Sequence, residues 1–427
     1  MQHELVLLAH KIDWPSLDRE VEGLFAVLGR PSLASRLILG LFLLKEMHQL
    51  SDEEVCATWL TNPYFQYFCG EIYFQHVLTF DRSSLSNWRK RLGEEAIVKL
   101  IQESLRIAKE SHALKDAHLT RVIVDTTVQP KAITFPTDAR LLYKALTGLV
   151  TLAKRYSIPL RQTYVRVCKK AFQQVQRYRH AKQHQRAQRQ VRFLRHRLWR
   201  VYREIKRYLE THPHLRDAFQ ETMKKAYIIG FQERKSARKL YSWHAPEVEC
   251  IGKGKADKPY EFGCKVSVTT HVNPAPAGNF VLHIAALHGN PFDGHTLSGV
   301  MKQMTQWTGV EPERIYVDRG YRGHDYSPAF RVFKSGQKRG VTASIKRELR
   351  RRSAIEPLIG HLKSDGHLGR NYLKGAAGDR INALLAAAGH NFRLLMKWLR
   401  YFWGWIFWAC WASENDTQQA SSDYLIA

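Results

Sequence analysis

Cysteine is scarce in this sequence, and its spacing suggests no shared site. The 427 residues contain six cysteines, and no two of them form a CxxC pair. This pattern argues against a disulfide framework and against a cysteine-based zinc site. It fits a protein of the reducing cytoplasm.

The chain also lacks a long hydrophobic run and a recognisable targeting segment. Its N-terminus has no basic stretch followed by an apolar one, as a signal peptide would have. The run Tyr401–Ala412 is uncharged and aromatic, but about 12 residues are too few to span a bilayer. We therefore expect no membrane partner, and we interpret this run as a core-docking or self-association segment.

Acidic residues are few compared with basic ones. The sequence has 39 Asp and Glu against 66 Lys and Arg, which gives a formal charge of +27 and a pI near 9.9. A chain this basic usually binds a polyanion. Because carboxylates are rare, each one inside an apolar element is a candidate for chemistry.

The N-terminal part of the sequence predicts helices. Leu33–Leu44 has an apolar helical pattern, and Ser51 followed by Glu54 has the form of a capping box. A further helix begins near Ser83. Its candidate DNA contacts are Asn87, Arg89, Lys90 and Arg91. The alternative is a small helical bundle with a solvated basic rim.

The middle of the chain is helical and very basic. Apolar residues repeat at heptad-like spacing from Val191 to Tyr208. Residues 161–210 hold 16 Lys and Arg against two Glu, a self-repulsion that phosphate groups would offset. We expect nucleic-acid contact here, with candidates Arg189, Arg192 and Arg195, against the alternative of a solvated helix.

Two predicted strands each carry an acid. Arg121–Val128 is β-branched with Asp125 in its middle, and Arg314–Tyr321 contains Asp318. A carboxylate in a buried strand is costly unless it is paired or binds a metal. Tyr260–Val272 and Asn279–His288 predict a hairpin, and Gly340–Ile345 predicts a last short strand. The element order predicts a mixed α/β sheet with helices on its faces.

The segment from Arg350 to Lys363 predicts a helix with two faces. Ile355, Leu358, Ile359 and Leu362 form the apolar stripe. At roughly 100° per residue, Arg352, Glu356 and Lys363 fall within about 40° of one another on a neighbouring face. These three residues either form a solvated ion-pair row or bring a third carboxylate to a site.

Convergence of Asp125, Asp318 and Glu356 would create a site for hard divalent cations. Such a cluster needs a compensating charge, which Lys, Arg or Mg²⁺ could supply. Two ions about 3.5–4 Å apart suit in-line attack at a phosphodiester, and Arg352 and Lys363 could bind nearby phosphates. Asp293 and Asp138 each precede a turn or helix, so we interpret them as turn or N-cap residues.

Three segments carry a resemblance to a known family. They are Val124-Asp125-Thr126-Thr127-Val128-Gln129, then Val317-Asp318-Arg319-Gly320-Tyr321-Arg322-Gly323, and the pattern Tyr-x2-Arg-x3-Glu-x6-Lys at Arg352, Glu356 and Lys363. With the N-terminal stretch Asn62–Glu71, the chain resembles bacterial insertion-sequence transposases of the Asp-Asp-Glu class, in the group related to insertion sequence five. The Tyr of the pattern is replaced by Leu349, which puts the role of that ring in doubt.

The resemblance implies a ribonuclease-H-like catalytic fold and a DNA transposase in the bacterial cytoplasm, associated with the nucleoid. It implies metal-dependent cleavage at the element's ends and strand transfer, with two Mg²⁺ ions (Mn²⁺ may substitute) on Asp125, Asp318 and Glu356. Double-stranded DNA, as terminal inverted repeats and target, is the expected partner, bound by a homodimer. Arg319 and Arg322 are further candidate DNA contacts. The alternatives are a nuclease of the same fold or a catalytically silent DNA-binding protein derived from a transposase.

This resemblance and the composition shifts give a predicted domain division. We expect a helical DNA-binding domain at 1–112, a catalytic domain at 113–137 and 255–375, a basic helical insertion at 138–254, and a C-terminal helix with an aromatic tail at 376–427.

Overall fold

The computed structural model describes residues 3–24, 33–233, 235–237, 239–252 and 259–423, with side chains up to residue 401 apart from that of residue 329. The chain forms two compact units: Met1–Pro130 with Lys265–Ala427, and Lys131–Cys264.

In its described residues, the first unit has seven helices before the sheet. They are α1 (Glu4–Lys11), α2 (Trp14–Glu22), α3 (Ser35–Met47), α4 (Asp52–Thr61), α5 (Pro63–Phe68), α6 (Ser84–Glu110) and α7 (Asp116–Leu119). The predicted capping box is confirmed, since Ser51 and Glu54 bond each other's backbone at the start of α4. Helix α6 changes direction at Gly93, whose φ of 66° lies in the left-handed region that glycine tolerates.

The sheet of this unit contains β1 (Arg121–Pro130), the part of β3 (Tyr260–His271) from Lys265, β4 (Val281–Leu287), β5 (Arg314–Val317) and β6 (Val332–Lys334). Their spatial order is β4, β3, β1, β5, β6. The predicted hairpin is confirmed as the antiparallel pair β3–β4, whereas β1–β5 and β5–β6 are parallel. Val272, just after β3, donates its backbone N–H to Arg121 at the start of β1, as expected for antiparallel strands. The architecture is therefore mixed α/β.

Helices of the first unit follow and flank these strands. They are α12 (Leu297–Thr308), α13 (Ala343–Arg351), α14 (Ile355–Ser364) and α15 (Gly375–Asp423). None of the described helices is both long and apolar enough to cross a membrane. The run Tyr401–Ala412 lies in α15, and its side chains beyond Tyr401 fall outside the described residues.

The predicted strand at Gly340–Ile345 is wrong, because this segment turns into α13. The hydroxyl of Thr342 accepts from the backbone N–H of Ile345, so Thr342 caps a helix. The alternating pattern was too short to outweigh that cap and the helix-favouring residues after it. The edge strand is β6 instead.

The helix predicted from Arg350 to Lys363 is also interrupted. A 3₁₀ turn at Arg352–Ala354 separates α13 from α14. Pro357 has no N–H to donate to the carbonyl of Ser353, so a continuous α-helix cannot pass through this position but can restart with proline in its first turn. The predicted apolar stripe is largely confirmed: Ile355, Leu358 and Leu362 are buried.

The second unit is built on four helices. They are α8 (Asp138–Arg155), α9 (Val165–His180), α10 (His184–Thr211) and α11 (Arg216–Phe231), followed by β2 (Glu249–Gly252), which pairs with the first residues of β3. The predicted seam of α10 is buried from Val191 to Ile205. Its last position is Leu209 and not Tyr208, which is half-buried.

Candidate functional site

Asp125 and Asp318 lie side by side on neighbouring parallel strands. Arg121 pairs with Arg314 and Ile123 with Tyr316, a constant offset of 193 residues. Continued past the end of β5, this register sets Asp125 opposite Asp318 on the same face of the sheet. Adjacent strands are about 4.8 Å apart, so two residues remote in sequence become lateral neighbours.

The carboxylate of Asp125 is mostly buried and has two close partners. The backbone N–H of Thr126 donates to Oδ1 at 2.8 Å, and Nη1 of Arg352 lies 3.2 Å from Oδ2. Burial raises the pKa of Asp125 to about 6, and the charge of Asp318 adds to this effect, while Thr126 and Arg352 oppose it. Arg352 therefore does not fully compensate this carboxylate.

Asp318 follows β5 and caps the 3₁₀ turn Arg319–Tyr321. Its Oδ1 accepts the backbone N–H of Gly320 at 2.8 Å. A Cβ atom on Gly320 would lie 3.0 Å from Oδ1 of Asp318 and 3.4 Å from Oδ2 of Asp293. Asp293 therefore brings a further carboxylate to the same place, where its Oδ1 pairs with Nζ of Lys265 at 3.0 Å.

A buried phenol lies among these three aspartates. Tyr321 is completely buried. Burial raises the pKa of its hydroxyl well above the ordinary value, and the charges of Asp293, Asp125 and Asp318 raise it further. All three carboxylates therefore lie near enough to this one hydroxyl to act on it.

Glu356 lies at the edge of this cluster. Its side chain is 66% exposed, and its Oε1 is 3.7 Å from Nη2 of Arg352. The guanidinium of Arg352 therefore bridges Asp125 and Glu356. In the described residues, the oxygens of Asp125, Asp318 and Glu356 do not all come within 4.8 Å of one another.

The remaining candidates of this unit differ in exposure. Lys363 is half-buried in α14, whereas Arg319 and Arg322 are exposed beside Asp318. Arg319 donates through Nε to the carbonyl of Ser335 at 3.4 Å. Leu349, at the position of the family's Tyr, packs against the core.

Arg89 is not placed as a surface DNA contact would be. It is only 5% exposed, its Nη2 lies 2.6 Å from Oδ1 of Asp52, and its guanidinium stacks over Phe42. The sequence predicted Arg89 as a surface cation because it lies in a basic stretch of a helix. In the structure its ion pair with Asp52 joins α6 to α4. The other candidates of α6 are exposed: Asn87, Lys90 and Arg91.

The candidates of the second unit also divide. Arg189 and Arg192 are exposed on α10. Arg195 is half-buried, and its Nη2 approaches the carbonyl of Gln232 at 3.4 Å after the end of α11. Arg195 therefore contributes to packing between α10 and the end of α11.

Three residues of the cluster were not assigned to the site from the sequence. Lys265 and Tyr321 were not singled out, and Asp293 was interpreted as a turn or cap residue. Asp293 does lie in the turn before α12, but Phe292 is the cap position and the carboxylate points to Lys265. The available signal was topological. Strands β4 and β1 both run antiparallel to β3, so the loop after β4 leaves the sheet at the end towards which β1 and β5 run.

A buried carboxylate anchors the helix that precedes Arg352. Glu348 of α13 is 5% exposed and accepts from Nη1 of Arg121 at 2.9 Å, from Nη1 of Arg314 at 3.0 Å and from the hydroxyl of Tyr316. These partners belong to β1 and β5. Glu348 thus fixes α13, and with it Arg352, to the two strands that carry the aspartates.

Comparisons with known proteins identify one domain and one relative. The family model described as Transposase domain (DUF772) matches residues 1–91. The chain is similar to the uncharacterized protein ORF8 in the nfe locus of Rhizobium meliloti, with 47% identity over 179 residues that span 42% of this chain and 86% of that protein. No solved structure matches significantly. The chain therefore belongs to the same protein family as this rhizobial protein, and its residues 1–91 match the model of a transposase domain.

Proposed function

We propose that the chain is an insertion-sequence DNA transposase that cuts DNA at the ends of its element and joins the freed 3′ ends to target DNA. The observation that carries this proposal is the register that sets Asp125 beside Asp318, in a chain with a transposase domain at residues 1–91. A pair of aspartates set side by side by adjacent parallel strands is suited to phosphodiester chemistry, because it can hold a cation against a phosphate.

The fold class that we propose is ribonuclease-H-like. Its support is the sheet of the first unit, in which β1 lies between the antiparallel strand β3 and the parallel strand β5. The second unit is then an insertion between β1 and the β3–β4 hairpin. In this arrangement Asp125 lies within β1, Asp318 directly follows β5, and Asp293 lies in the turn after β4.

The donor set fits Mg²⁺. Asp125, Asp318 and Asp293 supply only oxygen atoms, which hard cations prefer. Burial and the charge of Asp318 raise the pKa of Asp125, and a bound cation would offset both effects. Asp125 and Asp318 would hold the metal with Glu356, and bound Mg²⁺ would supply the charge that activates a water or 3′-hydroxyl and stabilises the leaving oxygen.

The chain's own cations have a separate role in this proposal. Arg352 holds Asp125 and Glu356 by one guanidinium, so it orients both carboxylates before DNA binds. Lys265 restrains Asp293 in the same way. Once the cluster gains a divalent charge, Arg352 is available to contact a phosphate, which its planar guanidinium binds in a bidentate manner.

The test is cleavage of DNA that carries the element's ends. The substitution Asp125→Asn removes one negative charge from the cluster. It should abolish Mg²⁺-dependent nicking and leave the affinity for DNA unchanged. The matched control is Asp138→Asn, at an exposed position in the first turn of α8, and it should cut normally. Retained cleavage by the Asp125 variant would reject this site.

Two further outcomes separate the rival functions. A same-fold nuclease would nick but would not join pre-cut ends to target DNA in a strand-transfer assay. A catalytically silent DNA-binding protein would bind the ends and show no metal-dependent nicking of supercoiled plasmid.

A further inference from the structure

The outer face of α10, in the second unit, carries a straight row of basic side chains. The helix buries one face through Ala187, Val191, Leu194, Leu198, Val201, Ile205 and Leu209. The opposite face exposes Arg189, His196, Arg200, Arg203 and Arg207, whose spacings of 7, 4, 3 and 4 residues keep them on one line. At 1.5 Å per residue the row is roughly 27 Å long.

A basic pocket of about 730 Å³ lies at the C-terminal part of this row. Five of its lining residues are cations, namely Arg161, Arg200, Arg203, Lys206 and Arg207, and two are the carboxylates Glu204 and Glu210. Oε1 of Glu204 accepts the backbone N–H of Arg161 at 2.7 Å. This bond holds the loop before α9 against α10. With five cations and two carboxylates, the lining keeps a net charge of +3.

The loop is held in place by aromatic contacts as well. Tyr164 has a φ of 56°, a left-handed backbone conformation, at the N-terminal end of α9. The guanidinium of Arg197 lies over the rings of Tyr164 and Phe193, at 5.0 and 4.6 Å from their centroids. Nη1 of Arg200 reaches the hydroxyl of Tyr164 at 3.5 Å. The pocket wall is therefore organised before any ligand binds.

The five cations of the pocket have no anionic partners of their own. Among the residues that the structure describes, none of them lies within 4.0 Å of a carboxylate. Holding this many like charges together is unfavourable unless an anion binds them. A small anion would fill only the pocket, whereas the full row continues along the helix to Arg189.

We infer that the row and its pocket bind the phosphate backbone of duplex DNA and form a DNA site of the second unit that is separate from the carboxylate cluster. The choice of DNA rests on the proposed function. A rigid row of roughly 27 Å corresponds to about eight base pairs at 3.4 Å each, a length over which a duplex presents regularly spaced phosphates. Contacts to phosphates carry no base information, so this site binds any sequence.

The experiment measures DNA affinity of the full chain without cleavage. Fluorescence anisotropy with a labelled 30-base-pair duplex of arbitrary sequence is recorded in EDTA at several salt concentrations. The test variant combines Arg200→Gln, Arg203→Gln and Arg207→Gln. The matched control combines Lys144→Gln, Lys154→Gln and Lys224→Gln, which removes the same charge from exposed positions of other helices of this unit.

The expected result is a loss of at least tenfold in affinity at 0.1 M salt for the test variant. Each lost phosphate contact lowers the slope of log K against log salt by about 0.9, so the slope should fall by about 2.7. The control should change both quantities by less than a third of this. Circular dichroism and a thermal melt confirm that both variants fold.

Three outcomes would overturn the inference. Equal losses in the two triple variants would show a diffuse charge effect, and an unchanged test variant would show that DNA binds elsewhere. A test variant that keeps duplex affinity but loses affinity for single-stranded RNA would assign the row to another nucleic acid. Because metal is chelated, these results do not depend on whether Asp125 supports cleavage.

Discussion

Replacing Glu348→Gln should weaken the first unit at the point where α13 meets the sheet. The change keeps the shape of the side chain but removes a buried negative charge that Arg121 and Arg314 share. The new amide can still accept one hydrogen bond, but its NH₂ group faces a cation. Two guanidinium groups then lack a counter-charge.

The magnitude follows from burial. Removing one partner of a fully buried ion pair costs about 3–5 kcal/mol. The two arginine side chains here are 35% and 29% exposed, so water offsets part of that cost and we expect about 2–3 kcal/mol. For a domain of this size, such a loss lowers the melting temperature by about 4–8 °C.

Tyr316→Phe is the matched comparison, because it removes one hydrogen bond to the same carboxylate and no charge. Its cost should be about 1.5 kcal/mol, the lower end of the range for a hydrogen bond to a charged group, because the two arginines still compensate the carboxylate. Differential scanning fluorimetry at neutral pH measures the melting temperatures of the three proteins. We expect the wild type to melt highest, Tyr316→Phe next and Glu348→Gln lowest. If Glu348→Gln melts at or above the temperature of Tyr316→Phe, charge compensation by Glu348 is refuted.

The stabilities of the wild type and of the Glu348→Gln variant should converge in acid. Burial acts to raise the pKa of Glu348, but Tyr316 and the two arginines outweigh it, so the pKa lies below its ordinary value of 4.5. A carboxylate whose pKa is lower in the folded state than in the unfolded state stabilises the fold. This stabilisation is fully present above the pKa of the unfolded state and is lost as the pH falls through the pKa of the folded state. The gap between wild type and Glu348→Gln should therefore be full near neutrality and narrow below pH 4.5. A gap that stays constant across this range would contradict the ionised carboxylate.

Four further variants test other parts of the first unit. Arg89→Ala should lower the free energy of unfolding by about 2–3 kcal/mol and leave DNA affinity unchanged. Lys90→Gln, at an exposed position, should lower DNA affinity and leave stability unchanged. Thermal melts and fluorescence anisotropy measure the two quantities. Burial acts to raise the pKa of Glu46, but Lys45 and His367 hold it at about 2. The loss of stability caused by Glu46→Gln should therefore be greatest above the pKa that Glu46 has in the unfolded chain. It should disappear only near pH 2, which thermal melts in acid will measure. Asp293→Asn should reduce Mg²⁺-dependent cleavage without weakening DNA binding, and unchanged cleavage would place it outside the site.

Sequence reasoning predicted the strand that carries Asp125 and the strand that Asp318 follows, because their signals are local. An apolar β-branched run with an acid identifies each segment, although β5 ends at Val317 and not at Tyr321 as predicted. The parallel register then sets the two acids side by side. The segment after Lys338 was predicted less well. A cap at Thr342 and the missing N–H of Pro357 decide its structure, and both are single-residue effects that a short hydrophobic pattern does not reveal.

The burial of a charged side chain was beyond the reach of the same reasoning. Arg89 and Lys90 are adjacent in sequence and equally basic, yet one is 5% exposed and the other is on the surface. The difference comes from Asp52, which is 37 residues away and reaches Arg89 only after α4 and α6 have packed. A residue's helical position predicts its face, but its partner belongs to another element.

Asp293 shows the same limit at the carboxylate cluster. An Asp before Gly is a good turn residue, and local reasoning stops there. Its place beside Asp318 depends on the direction of β4, which is set by the hairpin with β3. The cluster therefore has a member that no spacing rule identifies, and Lys265, which restrains it, comes from the strand that determines that direction. Because topology and pairing place Asp293 beside Asp318, we expect its Asn variant to behave like a change within the proposed site.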